Sequence, residues 1–398
     1  MRSEVILCLG LLAAQVGISQ AESPIEALLT AREPENAISA AKQLRTTTKD
    51  KGVFVETLVY EARALWMLQE YESSIKVLEQ IIANKSAVPA EVAYSYWLKG
   101  YCYIRLEKPA SAIDAFSVVA TEYQDSEKHQ DSLIRLAFLA ESRNDISVDE
   151  RVMNFKKYLE QYPDGVESLQ AKRSLAQLMW RQSEILESIE VKKEAKLAFL
   201  EIAEDHNSDE ELVSWSHLNI LALEMEIERL SSRNTIYVSG AKKFQKTSET
   251  AHSLLAGSSL TDSDRRVAQL VLGEAYYFDG DYSRAEATLL PLTISAQEDE
   301  VAPFARYMLG LNSLKKGDEA KAIEHFGSVL SVEKSKDFKG NNVRLAAMEW
   351  LGKAAKKQSD PSLVTATLSL IEAEDPDSKY MQRLVHTLKS IQPQEGGK

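Results

Sequence analysis

Small and large residues recur along this chain at matching offsets, and no other feature limits its fold so tightly. Gly100, Tyr103, Ala112 and Phe116 are spaced like Gly273, Tyr276, Ala285 and Leu289, and again like Gly310, Ser313, Ala322 and Phe326. Ala62, Leu65, Ser74 and Leu78 keep the same offsets with weaker residues. Glycine and alanine at such positions suit two antiparallel helices that touch where their side chains are smallest, while the large residues fill the space beside the contact. Each unit is then one helical hairpin, and Gly273 and Gly310 stand 37 residues apart, so three residues are added to a spacing of about 34 between these two.

This order of residues resembles the tetratricopeptide repeat, whose unit is about 34 residues long. The resemblance implies an all-α, right-handed α-solenoid of about eight helical hairpins with a C-terminal capping helix. The clearest repeats are expected at 55–88, 93–126, 266–299 and 303–336, with an irregular middle at 165–260 and a solenoid running over 22–391. In that middle, Ala195 and Phe199 hold the late positions of a unit whose first helix is expected to run from about Glu167 to Glu190. Helices are further expected at Glu35–Leu44, Glu210–Leu230, Val238–Leu255 and Lys379–Ile391, with a disordered tail at 392–398. HEAT or armadillo units would fit the irregular middle but leave the Gly-x2-Tyr and Ala-x3-Phe offsets unexplained. Composition agrees with long helices: 44% of residues are hydrophobic, and only 16 Gly and 10 Pro occur in 398 residues.

Three repeat ends read Glu122-Tyr123-Gln124-Asp125-Ser126, Gln161-Tyr162-Pro163-Asp164-Gly165 and Asp375-Pro376-Asp377-Ser378. Physically this is a helix stop, because the residue before proline avoids the helical region and Asp or Ser can cap the helix that follows. The phrase resembles the repeats of bacterial periplasmic proteins of this family, such as the Tol–Pal-associated division coordinator and the lipoprotein of the outer-membrane β-barrel assembly machinery. The first 21 residues point to the same compartment. Arg2 precedes an apolar run from Val5 to Ile18 and then Ser19-Gln20-Ala21, the layout of a cleaved secretory signal peptide. Periplasmic export is the expectation, with secretion as the alternative. Cys102 is the one cysteine outside that segment, so no intramolecular disulfide is expected.

The formal net charge of −13, without a basic stripe, argues against nucleic acid and anionic membrane surfaces. Basic pairs such as Lys192-Lys193 and Lys315-Lys316 are expected on solvated helix faces or at helix C-termini, where they meet the dipole. No phosphate cradle, nucleophile elbow or HExxH motif occurs, and the six histidines are scattered over separate repeats. The acidic clusters Glu224, Glu226, Glu228 and Glu298-Asp299-Glu300 lack the spacing of a calcium loop. No catalytic residue, cofactor or metal is therefore expected, and no span across a membrane.

In the family, the first helices of successive repeats line a concave groove. The corresponding residues here are Val59, Arg63 and Trp66, then Tyr94, Trp97, Tyr101 and Ile104, then Leu270, Glu274 and Tyr277, then Phe304, Tyr307, Leu311 and Leu314. Tyrosine and tryptophan are enriched where partners bind. The groove is expected to hold a protein or peptide, another envelope protein by the resemblance, unless the solenoid itself buries these side chains. The lysine and asparagine of a two-carboxylate clamp are replaced by Trp97 and Tyr101, and by Tyr307 and Leu311, which argues against a chaperone-tail adaptor. Glycan or polymer carriage, with sugars stacked on the aromatic rings, is the alternative reading. The oligomeric state is left open.

Overall fold

The computed structural model describes residues 23–233, 243–257, 260–294, 301–330 and 343–358, together with isolated positions between 362 and 386. The expected signal peptide, the Glu298-Asp299-Glu300 cluster, most of Lys379–Ile391 and the tail 392–398 lie outside the described residues. Every regular element among the described residues is helical. The chain divides into two compact units, Met1–Leu178 and Met179–Lys398.

The N-terminal unit contains α1 (Pro24–Thr30), α2 (Pro34–Thr47), α3 (Lys51–Met67), α4 (Tyr71–Ile82), α5 (Pro89–Arg105), α6 (Pro109–Glu122), α7 (His129–Glu141) and α8 (Val148–Gln161). The division falls within α9 (Ser168–Leu186). The C-terminal unit continues with α10 (Ile189–Ala203), α11 (Glu210–Arg233), α12 (Gln245–Ala256), α13 (Asp262–Phe278), α14 (Tyr282–Leu289), a 3-10 turn at Leu290–Thr293, α15 (Val301–Lys316), α16 (Glu319–Leu330) and α17 (Val343–Gln358). From α1 to α8 and from α10 to α17, each helix packs on its neighbours in sequence. The first helices of successive hairpins also touch: α1 with α3 and α3 with α5 in one unit, α11 with α13, α13 with α15 and α15 with α17 in the other. Each unit is therefore a stack of helical hairpins, an all-α solenoid.

Local chemistry starts and stops these helices. Proline opens α1, α2, α5 and α6 at a position whose N–H would have no partner in any case. The Asp50 carboxylate accepts from the N–H groups of Gly52 and Val53 at the start of α3. Ser147, Ser188, Thr261 and Asp281 cap α8, α10, α13 and α14 in the same way. The turn inside a hairpin repeats too. Gln69, Glu107, Gly280 and Gly317 take positive φ, and the next residue's N–H reaches back to the carbonyl five positions earlier: Glu70 to Leu65, Lys108 to Tyr103, Asp281 to Tyr276 and Asp318 to Ser313. This is the Schellman closure, which suits glycine best.

Inside the hairpins the glycines lie where the two helices come closest. A methyl group added to Gly100 would stand 2.6 Å from the Phe116 ring, one on Gly273 2.5 Å from Leu289, and one on Gly310 2.5 Å from the Phe326 ring. Ala112, Ala285 and Ala322 are fully buried beside these contacts. In α3 and α4 the same role falls to Ala62 and Leu78, and the Ser74 hydroxyl donates to the Ala62 carbonyl at 2.8 Å. Phe155 and Phe199, which hold the late positions of the middle repeats, are also fully buried. Tyr123 and Tyr162 end α6 and α8 outside the helical region, at φ −126° and −134°.

Three boundaries differ from the sequence reading. The helix expected over Glu167–Glu190 is two helices, because Glu187 takes a positive φ and Ser188 caps α10; Glu190 belongs to the second helix. The N-terminal segment is a hairpin, since α1 precedes the anticipated Glu35–Leu44 helix and Ser23 accepts from the Ile25 N–H. The helix expected from Val238 is described only from Gln245.

Two stability outcomes follow from this geometry. Glu107→Gly should raise the melting temperature and Gly317→Ala should lower it, each by about 1 kcal/mol of left-handed backbone cost, read by calorimetry. Gly310→Ala should destabilise by about 1–3 kcal/mol through overpacking on Phe326. Its cost should shrink in a Phe326→Ala background, where the added methyl enters the space the ring has left. An equal cost in both backgrounds would contradict the crossing.

Candidate functional site

In the N-terminal unit the first helices of the hairpins carry a connected row of aromatic and charged side chains. On α5, Tyr94, Trp97 and Tyr101 follow one another with ring centroids 5.4 and 5.0 Å apart, and Tyr101 meets Phe116 edge-on at 5.4 Å. One carboxylate from α7 orders this row. Asp131 accepts from the Trp97 indole N–H at 2.6 Å and from the Tyr101 hydroxyl at 2.7 Å through the same oxygen, Oδ2. Its other oxygen accepts from Arg135 Nε at 3.2 Å, and the Arg135 guanidinium also pairs with Glu167.

At the other end of the row, Arg63 on α3 forms a two-pronged pair with Glu26 of α1 at 2.6 and 3.0 Å. Lys128, the residue before α7, places its ammonium 4.8 Å from the Trp97 ring centre and 5.8 Å from that of Tyr94. Burial pushes the Tyr94 hydroxyl up to about 12 and lowers the Lys128 ammonium below its usual range. A tyrosine hydroxyl raised this far stays protonated at neutral pH and can donate, and the Lys128 nitrogen lies over two aromatic faces.

The sequence-predicted groove residues do not form the open apolar surface expected of them. Trp97 is 6% exposed and Leu270 fully buried, so Leu270 belongs to the core. Trp66, Tyr94, Tyr101, Tyr277, Phe304, Tyr307 and Leu311 are half-buried and pack against the cores of their units. The physical reason is packing: in each unit these side chains lie against a core cluster drawn from several helices. Among the C-terminal groove residues, Phe304 lies 6.0 Å from Tyr307 and Tyr307 5.9 Å from Phe326. Burial raises the Tyr307 hydroxyl and pushes Tyr277 up to about 12. Of the structural positions, Tyr103 and Tyr276 are half-buried, and Tyr276 hydrogen-bonds His252 at 2.7 Å.

Asp131, Arg135, Lys128, Glu26 and Glu167 were missed by a reading that looked for apolar positions. Their signal is the repeat length itself, because Trp97–Asp131, Arg135–Glu167 and Arg63–Glu26 pair across 34, 32 and 37 residues. The acidic run on α11 is spent the same way. Glu226 pairs with Lys192 at 2.5 Å, Glu224 with Lys196 at 2.9 Å, and Glu228 accepts from the Lys246 and Thr247 N–H groups at the start of α12. Lys192 is thus buried, not on the solvated face expected for it. Cys102 is buried, and burial pushes its thiol up to about 11, which makes it a poor nucleophile. Among the described residues no group of three His, Cys, Asp or Glu could hold a metal ion, and no helix is long and apolar enough to cross a membrane.

Comparison with known proteins places this geometry in context. Residues 60–127, from within α3 to the turn before α7, match the family model described as tetratricopeptide repeat. Such repeats generally mediate protein–protein interaction. Among solved structures, the chain is similar to a tetratricopeptide repeat protein from Parabacteroides merdae ATCC 43184, at 12% identity and a TM-score of 0.41 over 75% of this chain and 98% of the other. It is also similar to the apo form of RapI, at 14% identity and a TM-score of 0.44 over 92% and 94%. A third is the C-terminal part of a repeat-containing protein from Cytophaga hutchinsonii, at 12% identity and a TM-score of 0.35 over 82% and 99%. No curated protein matches the chain.

The Asp131 tie can be measured. Tyr101→Phe should lower stability in urea unfolding by about 1 kcal/mol, a charge-assisted hydrogen bond discounted for partial exposure. In an Asp131→Ala background the same change should cost close to nothing, and equal costs would show that the two groups do not interact.

Proposed function

We propose that this chain is a non-catalytic scaffold that binds a protein partner along the first-helix face of its N-terminal unit, within a cell-envelope complex of the periplasm. The observation that carries the reading is the aromatic pair Trp97–Tyr101 tied to one Asp131 oxygen, with Tyr94 packed beside Trp97. A hydrogen-bonded aromatic row loses little side-chain freedom when a partner arrives, which lowers the cost of binding. Half-buried tyrosines also give area and a polar handle together. The tetratricopeptide match over 60–127 spans this row and supports protein binding over catalysis. Support for the compartment comes from the apolar leader Val5–Ile18 followed by Ser19-Gln20-Ala21, and from the Tyr-Pro-Asp turn at 162–164. Sugar stacking has weaker support, because a pyranose needs an open aromatic face and Lys128 covers that of Trp97.

Photocrosslinking tests the reading. A benzoylphenylalanine placed at Tyr101 should trap a defined partner in intact cells, while one at Met153, exposed on α8, should not. Equal labelling from both positions, or no adduct from Tyr101, would remove this face as the binding surface. Trp97→Ala is a poor probe of binding, since truncating so buried an aromatic destabilises by about 3–5 kcal/mol.

A further inference from the structure

Among the described residues of this face, Lys128 has no carboxylate at ion-pairing distance, although Glu127 and Asp131 act on it from further off. Arg63 is engaged by both oxygens of Glu26, and Arg135 by Asp131 and Glu167. Asp131, the acid on the first turn of α7, is already committed to Trp97, Tyr101 and Arg135. Among the described residues, no acidic side chain comes within ion-pairing distance of the Lys128 ammonium; its contacts are the rings of Trp97 and Tyr94. Those rings supply attraction to the charge but no acceptor for its three N–H donors. Burial is the largest influence on the Lys128 ammonium and disfavours its charged form; the Glu127 and Asp131 carboxylates offset part of that from beyond ion-pairing distance and Arg63 adds to it, so an anion in direct contact would still be favourable.

Building on the peptide-binding reading above, we infer that Lys128 is a specificity-determining contact that selects partners with an internal Asp or Glu, the side-chain carboxylate lying over the Trp97–Tyr94 edge and pairing with the Lys128 ammonium. The charge sits ahead of α7, on the turn that leads into it, so the acidic residue is met at one end of the row while Tyr101 contacts the peptide further along. A partner with glutamine or asparagine at that place would leave the ammonium unpaired, and one with lysine would meet Lys128 and Arg63 as like charges. Selection here is a matter of charge complementarity, which acts on specificity and association rate more than on raw affinity.

Phage display of random twelve-residue peptides on the amino end of the coat protein tests this with the full chain, because peptides shown that way have no free C-terminal carboxylate. Binders of the native chain should be enriched in Asp and Glu over the unselected library. Synthetic versions of those binders should lose about tenfold in affinity to Lys128→Gln and keep it with Lys128→Arg, the scale of one partly screened charge pair. Circular dichroism of each variant confirms that the fold is kept. Binders without acidic enrichment, or indifferent to Lys128→Gln yet lost on Tyr101→Ala, would overturn the acidic selection and leave the peptide-binding face standing. Binders indifferent to both changes, or none at all, would overturn both.

Discussion

Two helices can cross in close contact only where one of them has almost no side chain, and everything else in this protein depends on that constraint. Gly100, Gly273 and Gly310 leave room for Phe116, Leu289 and Phe326, which then fill the space a side chain would have taken. A hairpin closed in this way buries one stripe of each helix and leaves others for its neighbours. Stacking buries those in turn, so one core cluster runs through α3 to α6 and another through α13 to α17 although each turn is local.

Stacking also brings polar groups together at intervals close to one repeat. Arg105 donates to the Tyr71 hydroxyl across 34 residues, Ser174 to Glu141 across 33, and His129 meets Tyr162 across 33. The first two bonds join adjacent hairpins, and the third ties the start of α7 to the end of α8 within one hairpin. The Asp131 cluster is a further case, and it lies on the face proposed for a partner. A single carboxylate there both joins two hairpins and orients the aromatic row, so the same bond serves the fold and the surface. The acidic residues of α11, by contrast, are taken up by ion pairs and by the start of α12.

The hairpin fold was legible because glycine, alanine and phenylalanine at the crossings are demanded by space alone. Ser74 and Leu78, weaker in the motif, still fell into place by offset. The split of Glu167–Glu190 was less visible, since Glu187 adopts a left-handed turn that two glycines mark elsewhere and a glutamate does not. The hairpin at the amino end escaped notice although Ser23-Pro24 is a helix start, because α1 is only 7 residues long and has no repeat motif. For the surface, the aromatic positions were readable from helix periodicity. Their burial was not, because it depends on how closely the next hairpin packs. Lys128 and Asp131 were hidden for a related reason: their meaning lies in residues one repeat away.

The glycine crossing itself can be observed in solution. Nuclear Overhauser contacts measured on a chain with labelled glycine, phenylalanine and leucine report it directly. Close crossings require strong contacts from the Gly100 α-protons to the Phe116 ring, from Gly310 to the Phe326 ring, and from Gly273 to the Leu289 methyls. Should those glycines show no contact with these partners, the helices do not meet there, and neither the stacked hairpins nor the face built on them would stand.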